Sequence, residues 1–494
     1  MLFNSVDFLI FFPIVVFVYF LIPKKIKHIW LLVSSYYFYM CWNPKYAALI
    51  LLSTVVTYLA GLLIEKFPKK TGKKCALIGS VVVNLGILVL FKYFDFMLEG
   101  VNQLLELFHV QTVNSPFSFL LPVGISFYTF QALGYVVDVY RGEIFAEKNI
   151  LKYALFVSFF PQLVAGPIER SGNLLKQINQ ISEKRLWNYE GIVSGFGLMV
   201  WGLFQKMVIA DRCSVFVDGV YYNLYACGTV ETILAAVIFS IQIYCDFAGY
   251  SAIAIGAAKV MGFHLMENFD VPYGAVSISE FWRRWHISLS TWFRDYLYIP
   301  LGGNRCSKIK KYRNIMITFL VSGLWHGASL TYVIWGGIHG IYQIIGDLLK
   351  PFRERLVRFF RVNTDVFSYK AGQIITTFVL TTFAWIFFRA ASLQEAYYYI
   401  NRMVTRFNPW VLFNDGIYLF GLDQKEMGIL FVSILILLFV DFLCRRNRCN
   451  VGEFLQKQNL WFRWFVLAVL IVSILIYGKY GITFESNQFI YFEF

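Results

Sequence analysis

Long apolar runs separated by short basic segments constrain the fold of this chain more than any other feature. A membrane-spanning helix needs about 20 apolar residues, and runs of comparable length recur along all 494 residues. They lie near residues 6–22, 29–42, 46–64, 75–97, 117–137, 150–168, 191–210, 230–262, 314–349, 373–390, 428–443 and 461–479. Because several runs are short and 314–349 is long enough for two helices, we predict roughly eleven to thirteen segments in an all-α polytopic membrane protein.

The composition supports this class and excludes others. Only 15% of the residues are charged, against roughly a quarter in soluble domains. The net charge of +14 is expected from basic cytoplasmic loops. Nucleic-acid binding is not predicted, because the sequence shows no basic soluble module. The eight cysteines are scattered without metal-ligand spacing, so we predict free thiols and no metal site.

We see no long polar linker and therefore predict one membrane domain over residues 1–494. Its expected parts are N-terminal helices (1–262), a catalytic core (263–349), C-terminal helices (350–479) and an external tail (480–494). The first apolar run lacks a basic leader and a cleavage site, so it is expected to remain as an uncleaved first span.

Lysine and arginine predict the orientation of the spans, since cytoplasmic loops are enriched in them. Basic residues follow the first run, which places the N-terminus outside, and the last run exits, which places the C-terminus outside. Basic segments also follow both the fifth and the sixth runs, so we predict that 150–168 dips in and returns. The segments 263–313 and 350–371 are both basic, so 314–349 must form a hairpin or re-entrant pair.

His326 is the strongest catalytic candidate. It lies about 12 residues into the 314–349 run, roughly 18 Å deep in a helix that starts at one face. An ionisable residue there predicts a functional site, and burial would keep its imidazole neutral as a general base. A histidine bonded between helices is the alternative. Trp325 precedes it and is a candidate substrate contact. His339 would lie about 220° further round one straight helix, so it is a weaker candidate unless Gly336-Gly337 breaks that helix.

The segment 280–296 is predicted to be one amphipathic helix with separate charged and aromatic stripes. It is either an interfacial helix or one wall of an entrance for an anionic substrate, because arginine binds phosphate well. A GG turn and three lysines extend the basic surface, which could meet coenzyme A phosphates or an acidic carrier protein. The candidate substrate-binding residues here are Arg283, Arg284, Arg294, Asn304 and Arg305.

Two further features carry candidates. Asp246 lies inside an apolar run, where a carboxylate either binds substrate or is hydrogen-bonded within the structure. Glu169 and Arg170 are interpreted as boundary charges.

The chain ends in FIYFEF, which is either an interfacial aromatic anchor or an aromatic plug that presents Tyr491 inside a pocket.

Several motifs together resemble one family. They are FWRRWHISLSTWFRDYLYIPLGGNR, SGLWHGASLTYVIWGGIHG, LPVGISFYTFQALGYVVDVYRG, PQLVAGPIER and YCDFAGYS. They are similar to the membrane-bound O-acyltransferase family, and most similar to its bacterial alginate O-acetyltransferase-type branch. The resemblance implies a helical body with re-entrant segments, in which funnels from both faces meet at a central histidine.

The resemblance also implies roles for particular residues. The WHG histidine is His326, the catalytic residue, and the second signature histidine is His286. Many relatives read GYSD where this chain has Ala252, so no acidic role is assigned there. In related polymer-acylating systems the tyrosine of an FxYFxF-like C-terminal hexapeptide is implicated as an acyl relay, and FIYFEF fits this pattern, which points to Tyr491.

These features predict an O-acyltransferase of the bacterial cytoplasmic (inner) membrane. It would move an acyl group, with acetyl as the favoured candidate, from cytoplasmic acetyl-CoA or an acyl carrier thioester to a cell-surface polysaccharide. No permanently bound cofactor is expected. The resemblance implies a partner, a secreted or membrane-anchored SGNH-type acyltransferase or esterase. The other expected partners are membrane lipid and, for one of the two donors, an acyl carrier protein. The alternatives are D-alanyl transfer to teichoic acid, direct transfer with FIYFEF as a docking tag, and a transporter or channel.

Overall fold

Helices make up the regular structure of this protein. The computed structural model describes residues 1–114, 122–164, 166–183, 188–480 and 489–490, and within these ranges there is no strand. The α-helices are α1 (Val6–Leu21), α2 (Lys27–Met40), α3 (Ala47–Lys66), α4 (Lys70–Leu88), α5 (Phe94–Leu107), α6 (Ile125–Arg141), α7 (Ile150–Ser158), α8 (Phe160–Leu163), α9 (Ser171–Asn179), α10 (Tyr189–Leu203), α11 (Asp211–Tyr222), α12 (Thr229–Val260), α13 (Ile278–Arg284), α14 (Ile287–Phe293), α15 (Lys308–His326), α16 (Leu330–Phe359), α17 (Phe367–Arg389), α18 (Leu393–Thr405), α19 (Gln424–Asn447), α20 (Val451–Gln456) and α21 (Leu460–Tyr477). The π-helical segments are Val89–Tyr93, Phe204–Ala210 and Arg294–Tyr298.

Seven helical stretches of the described chain are long and apolar enough to cross a bilayer. They are Pro44–Lys66, Lys70–Leu107, Tyr189–Tyr222, Thr229–Val260, Phe367–Arg389, Gln424–Asn447 and Leu460–Tyr477. The predicted all-α polytopic membrane protein is confirmed. Fewer full-length spans form than predicted, because some apolar runs become shorter helices, such as α1 with 16 residues and α2 with 14.

The stretch 150–168 forms two short helices instead of one span. α7 has nine residues and α8 has four. At 1.5 Å per residue, α7 rises about 14 Å, less than half of a hydrocarbon core about 30 Å thick. The short helices agree with a segment that enters and returns, while its place in a membrane stays a prediction.

The chain divides into two compact units. The first comprises Met1–Phe196 and Ile253–Met266, and the second comprises Gly197–Ala252 and Glu267–Phe494. In the first unit α3 packs against α4 and α6, and α2 packs against α7. Small residues and hydrogen bonds join these helices, as is usual where lipid removes the hydrophobic drive for association. The single-domain assignment stays a prediction.

Two contacts of α3 illustrate this packing. A Cβ added to Gly61 would lie 2.8 Å from the Tyr135 hydroxyl of α6, so the glycine makes room for that ring. The Tyr153 hydroxyl of α7 donates to Thr57 of α3 at 2.7 Å. The second unit contains the described candidate residues.

Candidate active site

The run at 314–349 forms a helical hairpin, as the charge pattern predicted. α15 ends at His326 and α16 begins at Leu330, with a turn at residues 327–329. A Cβ on Gly323 would lie 2.2 Å from the Tyr332 carbonyl oxygen, and one on Gly336 would lie 2.2 Å from that of Phe319. The two backbones can approach this closely only because both positions are glycine. The depth of the hairpin in a bilayer stays a prediction.

The hairpin corrects the expected relation between His326 and His339. α16 runs through Gly336-Gly337 without a break, whereas the turn at 327–329 separates the two histidines. The single-helix geometry that placed them apart is therefore wrong. Both rings contact Trp335, with centroid distances of 5.0 Å for His326 and 5.1 Å for His339. His326 is 2% exposed and His339 is fully buried.

One hydrogen bond fixes the tautomer of His339. The indole Nε1 of Trp282 donates to Nδ1 of His339 at 3.2 Å. Because an accepting Nδ1 carries no proton, the neutral ring carries its proton on Nε2. Trp282 lies on α13 and thereby couples the second signature segment to the hairpin. This contact holds the ring of His339 in place, and the orienting or structural role predicted for His339 stays a prediction.

The predicted single helix over 280–296 is wrong. The segment forms α13 and α14, and the chain bends between them at His286, which has φ 43° and ψ 55°. A left-handed backbone costs a non-glycine residue roughly 1–2 kcal/mol, so the surrounding structure holds it there. Phe281 and Trp285 are buried at 0% and 1% exposure, which does not fit a helix lying in an interface.

His286 is fully buried at this bend, and burial lowers its pKa to about 3. Its ring meets Phe247 at 4.6 Å and Trp325 at 5.9 Å between centroids. Trp325 precedes His326, so one indole contacts both signature histidines. We call His286, His326, His339 and the tryptophans Trp282, Trp325 and Trp335 the histidine cluster. Such a site keeps its imidazoles neutral, and a neutral imidazole can accept a proton as a general base.

The basic candidates lie outside the histidine cluster and make local contacts. Arg284 pairs with Glu280 one turn away. Arg283, which is exposed, donates to the Ser279 carbonyl at 3.4 Å. Arg294 pairs with Asp295 at 2.8 Å with its side chain 59% exposed. The exposed positions of Arg283 and Arg294 suit an entrance surface, whereas the Arg284 side chain is only 13% exposed. The predicted substrate contacts of all three residues stay predictions.

Asn304 and Arg305 lie in the exposed turn that follows this segment. The Asn304 side chain accepts from the Tyr298 hydroxyl at 2.6 Å, and the Arg305 amide donates to Gly302 at 3.2 Å. Both residues therefore have a local structural role beside the predicted one.

Asp246 belongs to a buried ionic cluster. The Lys206 ammonium lies 2.7 Å from Asp246 Oδ1 and 2.8 Å from Asp211 Oδ1. The Ile490 amide donates to Asp246 Oδ2 at 2.8 Å. We call Lys206, Asp211 and Asp246 the tail anchor. Its contacts favour the interpretation of Asp246 as a structural residue over the predicted substrate contact.

Within FIYFEF the structure describes only Phe489 and Ile490, which are 1% and 5% exposed. Their burial favours the plug interpretation of FIYFEF over an interfacial anchor for these two residues. Phe489 stacks on Tyr250 at 4.6 Å and meets Phe247 at 5.6 Å. Tyr491, the predicted relay, lies outside the described residues.

Glu169 corrects a smaller expectation. It is 2% exposed, and it accepts from the Met266 amide and from Asn173 at 2.7 Å. Burial raises its pKa to about 7. Glu169 is therefore an internal carboxyl that joins the start of α9 to the segment after α12, not a boundary charge.

Sequence reasoning missed Lys206 and the partner tryptophan Trp282. Lys206 lies in the apolar run 191–210, so the rule that flagged Asp246 should have flagged it as well. The pairing of Lys206 with Asp246 depends on tertiary structure. The role of Trp282 as donor to His339 was not visible, because it requires the fold at His286 and the turn at 327–329.

Comparison with known proteins identifies the class. The model of the MBOAT, membrane-bound O-acyltransferase family, matches residues 143–393. The chain is 39% identical to the probable alginate O-acetylase AlgI of Pseudomonas aeruginosa over 444 residues, covering 89% of this chain and 81% of that protein. It is 35% identical to the peptidoglycan O-acetyltransferase of Helicobacter pylori over 437 residues, covering 82% and 80%. A teichoic acid D-alanyltransferase of Streptococcus thermophilus is 30% identical over 254 residues, covering 48% and 59%.

An all-helical chain with apolar spans and a buried histidine cluster is thus placed in an enzyme class. The chain belongs to the membrane-bound O-acyltransferase family. It is a multi-pass membrane O-acyltransferase, as its motifs predicted.

Proposed function

We propose that the protein transfers an acetyl group from a cytoplasmic thioester to a hydroxyl group of an extracytoplasmic polysaccharide, with His326 as general base. The observation that carries the proposal is the buried position of His326 in the histidine cluster. The relatives named as alginate O-acetylase and peptidoglycan O-acetyltransferase support acetyl transfer to a polysaccharide.

The reaction assigns each proton and bond. His326 accepts the proton of the attacking hydroxyl, whose oxygen bonds to the thioester carbonyl carbon. The C–S bond then breaks, and the thiolate, with a conjugate pKa near 8.5, takes up the proton from His326. A neutral imidazole in an apolar site suits this exchange. His286 is also kept neutral by burial, and we assign it an orienting or oxyanion-stabilising role.

We further propose that the first acceptor is Tyr491. A phenol with a pKa of about 10 is deprotonated more easily than a sugar alcohol, and its ester stays reactive enough to pass the acetyl group on. The support is the burial of Phe489 and Ile490, two residues before and directly before Tyr491. Phe489 contacts Phe247, and Phe247 contacts the ring of His286. The next acceptor would be a secreted or membrane-anchored partner of the SGNH type with a Ser-His-Asp site.

The donor and the topology belong to the same proposal. The exposed basic surface around Arg283, Arg294 and Arg305 suits the phosphates of acetyl-CoA or an acidic acyl carrier protein. That surface would face the cytoplasm, with both termini outside a bacterial inner membrane, as the positive-inside rule predicts.

D-alanyl transfer from a carrier protein is the second candidate. It is favoured by the match to teichoic acid D-alanyltransferase. That match covers about half of this chain, whereas the O-acetylases match along most of it. Membership of the acyltransferase family favours either reaction over the transporter alternative.

The test measures ester-linked acetate on the surface polysaccharide of cells that carry His326→Ala or Tyr491→Phe. We expect His326→Ala to lower acetate by about a hundredfold or more, the scale of general-base catalysis. His109→Asn is the matched control, because His109 is an exposed histidine with a left-handed backbone (φ 56°) that asparagine tolerates. Wild-type acetate in His326→Ala cells, at normal expression, would overturn the proposal.

Tyr491→Phe separates relay from direct transfer. Loss of acetate equal to that in His326→Ala supports an acyl-tyrosine, whereas retained acetate overturns the relay and leaves direct transfer. In proteoliposomes, acetyl-CoA and a carrier protein loaded with D-alanine are supplied in turn as acyl donors, and acyl transfer is measured. Acetate transfer from acetyl-CoA supports the main proposal, and transfer from a D-alanyl carrier alone supports the second candidate.

A further inference from the structure

We propose that the tail anchor, Lys206 with Asp211 and Asp246, is the docking site of the C-terminal tail, and that Asp246 is a positioning residue that holds the tail through the backbone of Ile490. The consequence for acyl transfer rests on the proposed function of Tyr491. The docking itself does not.

One end of the tail contacts the π-helical segment Phe204–Ala210 directly, and the other end is connected to it through Asp246. At the near end, the Lys479 amide donates to the Met207 carbonyl at 3.0 Å. At the far end, Ile490 donates to Asp246, which pairs with Lys206. Lys206 and Met207 are adjacent residues, so the same turn binds the chain where it leaves α21 and pairs with the aspartate that accepts from Ile490. A π-helical turn shifts the backbone bonding pattern to i+5 and frequently marks a functional site.

The charges of the anchor favour a backbone donor at this position. Lys206, Asp211 and Asp246 are 4%, 2% and 3% exposed. The Lys206 ammonium lies within 2.8 Å of an oxygen of each carboxylate. A buried carboxylate is unfavourable unless donors satisfy its oxygens. The Ile490 amide supplies such a donor to Oδ2 of Asp246.

Close packing of α12 against the segment that carries Lys206 brings Asp246 within reach of the lysine. A Cβ on Gly249 of α12 would lie 2.7 Å from the Gly202 carbonyl oxygen and 3.2 Å from the Lys206 amide. This close approach brings Asp246, three residues earlier on α12, onto Lys206. Phe489 fills the space beside it against Tyr250 and Phe247. The tail is thus held by one charged hydrogen bond and one aromatic contact just before Tyr491.

Hydrogen exchange of the C-terminal peptide in the purified full-length protein tests the docking. We expect the peptide that contains Ile490 to be protected in the wild type. We expect Asp246→Ala to speed its exchange about tenfold or more, because hydrogen bonds to charged acceptors are the stronger ones. Unchanged protection in Asp246→Ala would overturn the proposal.

A second pair of variants leaves the anchor intact in case Asp246→Ala fails to fold. Ile490→Pro removes the N–H donor, whereas Ile490→Val keeps it. Faster exchange of the tail peptide in the proline variant only, at a wild-type unfolding midpoint, supports the proposal. Equal exchange in both variants contradicts it.

Tyr491→Phe distinguishes this proposal from the acyl relay. We expect Tyr491→Phe to keep the protected tail, since the proposed anchor binds the backbone of Ile490. If Asp246→Ala releases the tail and acetate on the polysaccharide also falls, docking and relay are both supported. If the tail is released and acetate is unchanged, docking stands and the relay is overturned.

Discussion

The histidine cluster and the tail anchor bury polar groups in opposite ways. Around His326 and His339 the neighbours are aromatic rings, and the Nδ1 of His339 receives a neutral indole N–H. In the tail anchor, one lysine faces two carboxylates at 2.7 and 2.8 Å. The first arrangement disfavours charge on an imidazole, and the second depends on charge. A base that must accept a proton benefits from the former, whereas a docking point for a backbone amide benefits from the latter.

The two regions also differ in how their backbones are prepared. Glycines at 323 and 336 bring α15 and α16 together, and a left-handed backbone bends the chain at His286. The anchor instead uses a π-helical turn, which presents Lys206 and the Met207 carbonyl side by side. Substitutions should therefore affect the anchor mainly through charge and the histidine cluster mainly through volume.

The largest effect is expected from Lys206→Met. It leaves two buried carboxylates without their lysine, and breaking a buried ion pair from one side destabilises a protein by about 3–5 kcal/mol. The measurement is the unfolding midpoint in detergent. Adding Asp211→Asn and Asp246→Asn to Lys206→Met should recover part of the loss, because the uncompensated charge disappears.

Lys311→Met is the matched control. Lys311 also lies 2.8 Å from an aspartate, Asp347, but these side chains are 26% and 38% exposed. Exposed pairs contribute about 0–1 kcal/mol. Similar midpoints for the two lysine variants would show that charge does not hold the anchor together.

The next effect is expected from Gly336→Ala in the hairpin. Its new methyl group would lie 2.2 Å from the Phe319 carbonyl oxygen, which is backbone and cannot rotate away. Overpacking of this kind destabilises by about 1–3 kcal/mol, and displacement of His326 should also lower polysaccharide acetate.

Gly346→Ala, on the same helix, tests whether volume is the cause. A Cβ there meets nothing within 4 Å. Because alanine favours a helix over glycine by about 1 kcal/mol, this variant should keep or raise the midpoint. A loss at Gly346 equal to that at Gly336 would mean that helix packing is not what the glycines provide.

The sequence could predict the parts of this site that repeat simple patterns. Apolar runs and basic loops predicted helices and the hairpin at 314–349, and a signature motif pointed to His326. The same patterns could not predict the break at His286, because a left-handed backbone at a histidine is imposed by tertiary contacts. The 3.6-residue periodicity therefore merged α13 and α14 into one helix.

Contacts between residues far apart in the chain could not be predicted from the sequence either. Lys206 and Asp246 are each recognisable as ionisable residues in apolar runs, yet only the fold joins them. Likewise, the position of His339 relative to His326 depends on a three-residue turn at 327–329 that helical geometry alone placed elsewhere.

A smaller effect is expected from Trp282→Phe. It keeps an aromatic ring and removes the N–H that His339 accepts, and a neutral hydrogen bond contributes about 0.5–1.5 kcal/mol. We expect a small fall in the unfolding midpoint and a partial loss of acetate. Trp464→Phe, at a position 48% exposed, is the control. A loss of acetate as complete as in His326→Ala would give His339 a catalytic role in place of an orienting one.

The smallest effect concerns Glu169, a buried carboxyl that accepts from Met266 and Asn173 and lies beside Arg170. Burial raises its pKa in the folded protein from 4.5 to about 7. Between these values the folded protein keeps a proton that the unfolded chain releases, so this group's stabilisation is complete below about pH 4.5 and is lost as the pH rises through about 7.

Glu169→Gln should remove this dependence. One group contributes at most about 1.4 kcal/mol per pH unit, and the hydrogen bonds from Met266 and Asn173 reduce it. The unfolding midpoint between pH 5 and 7.5 should therefore fall less in Glu169→Gln than in the wild type. Glu143→Gln, whose carboxyl is 58% exposed, should match the wild type. If Glu169→Gln keeps the wild-type slope, this carboxyl is ionised in the folded protein, and its hydrogen bonds together with the charge of Arg170 stabilise a buried carboxylate.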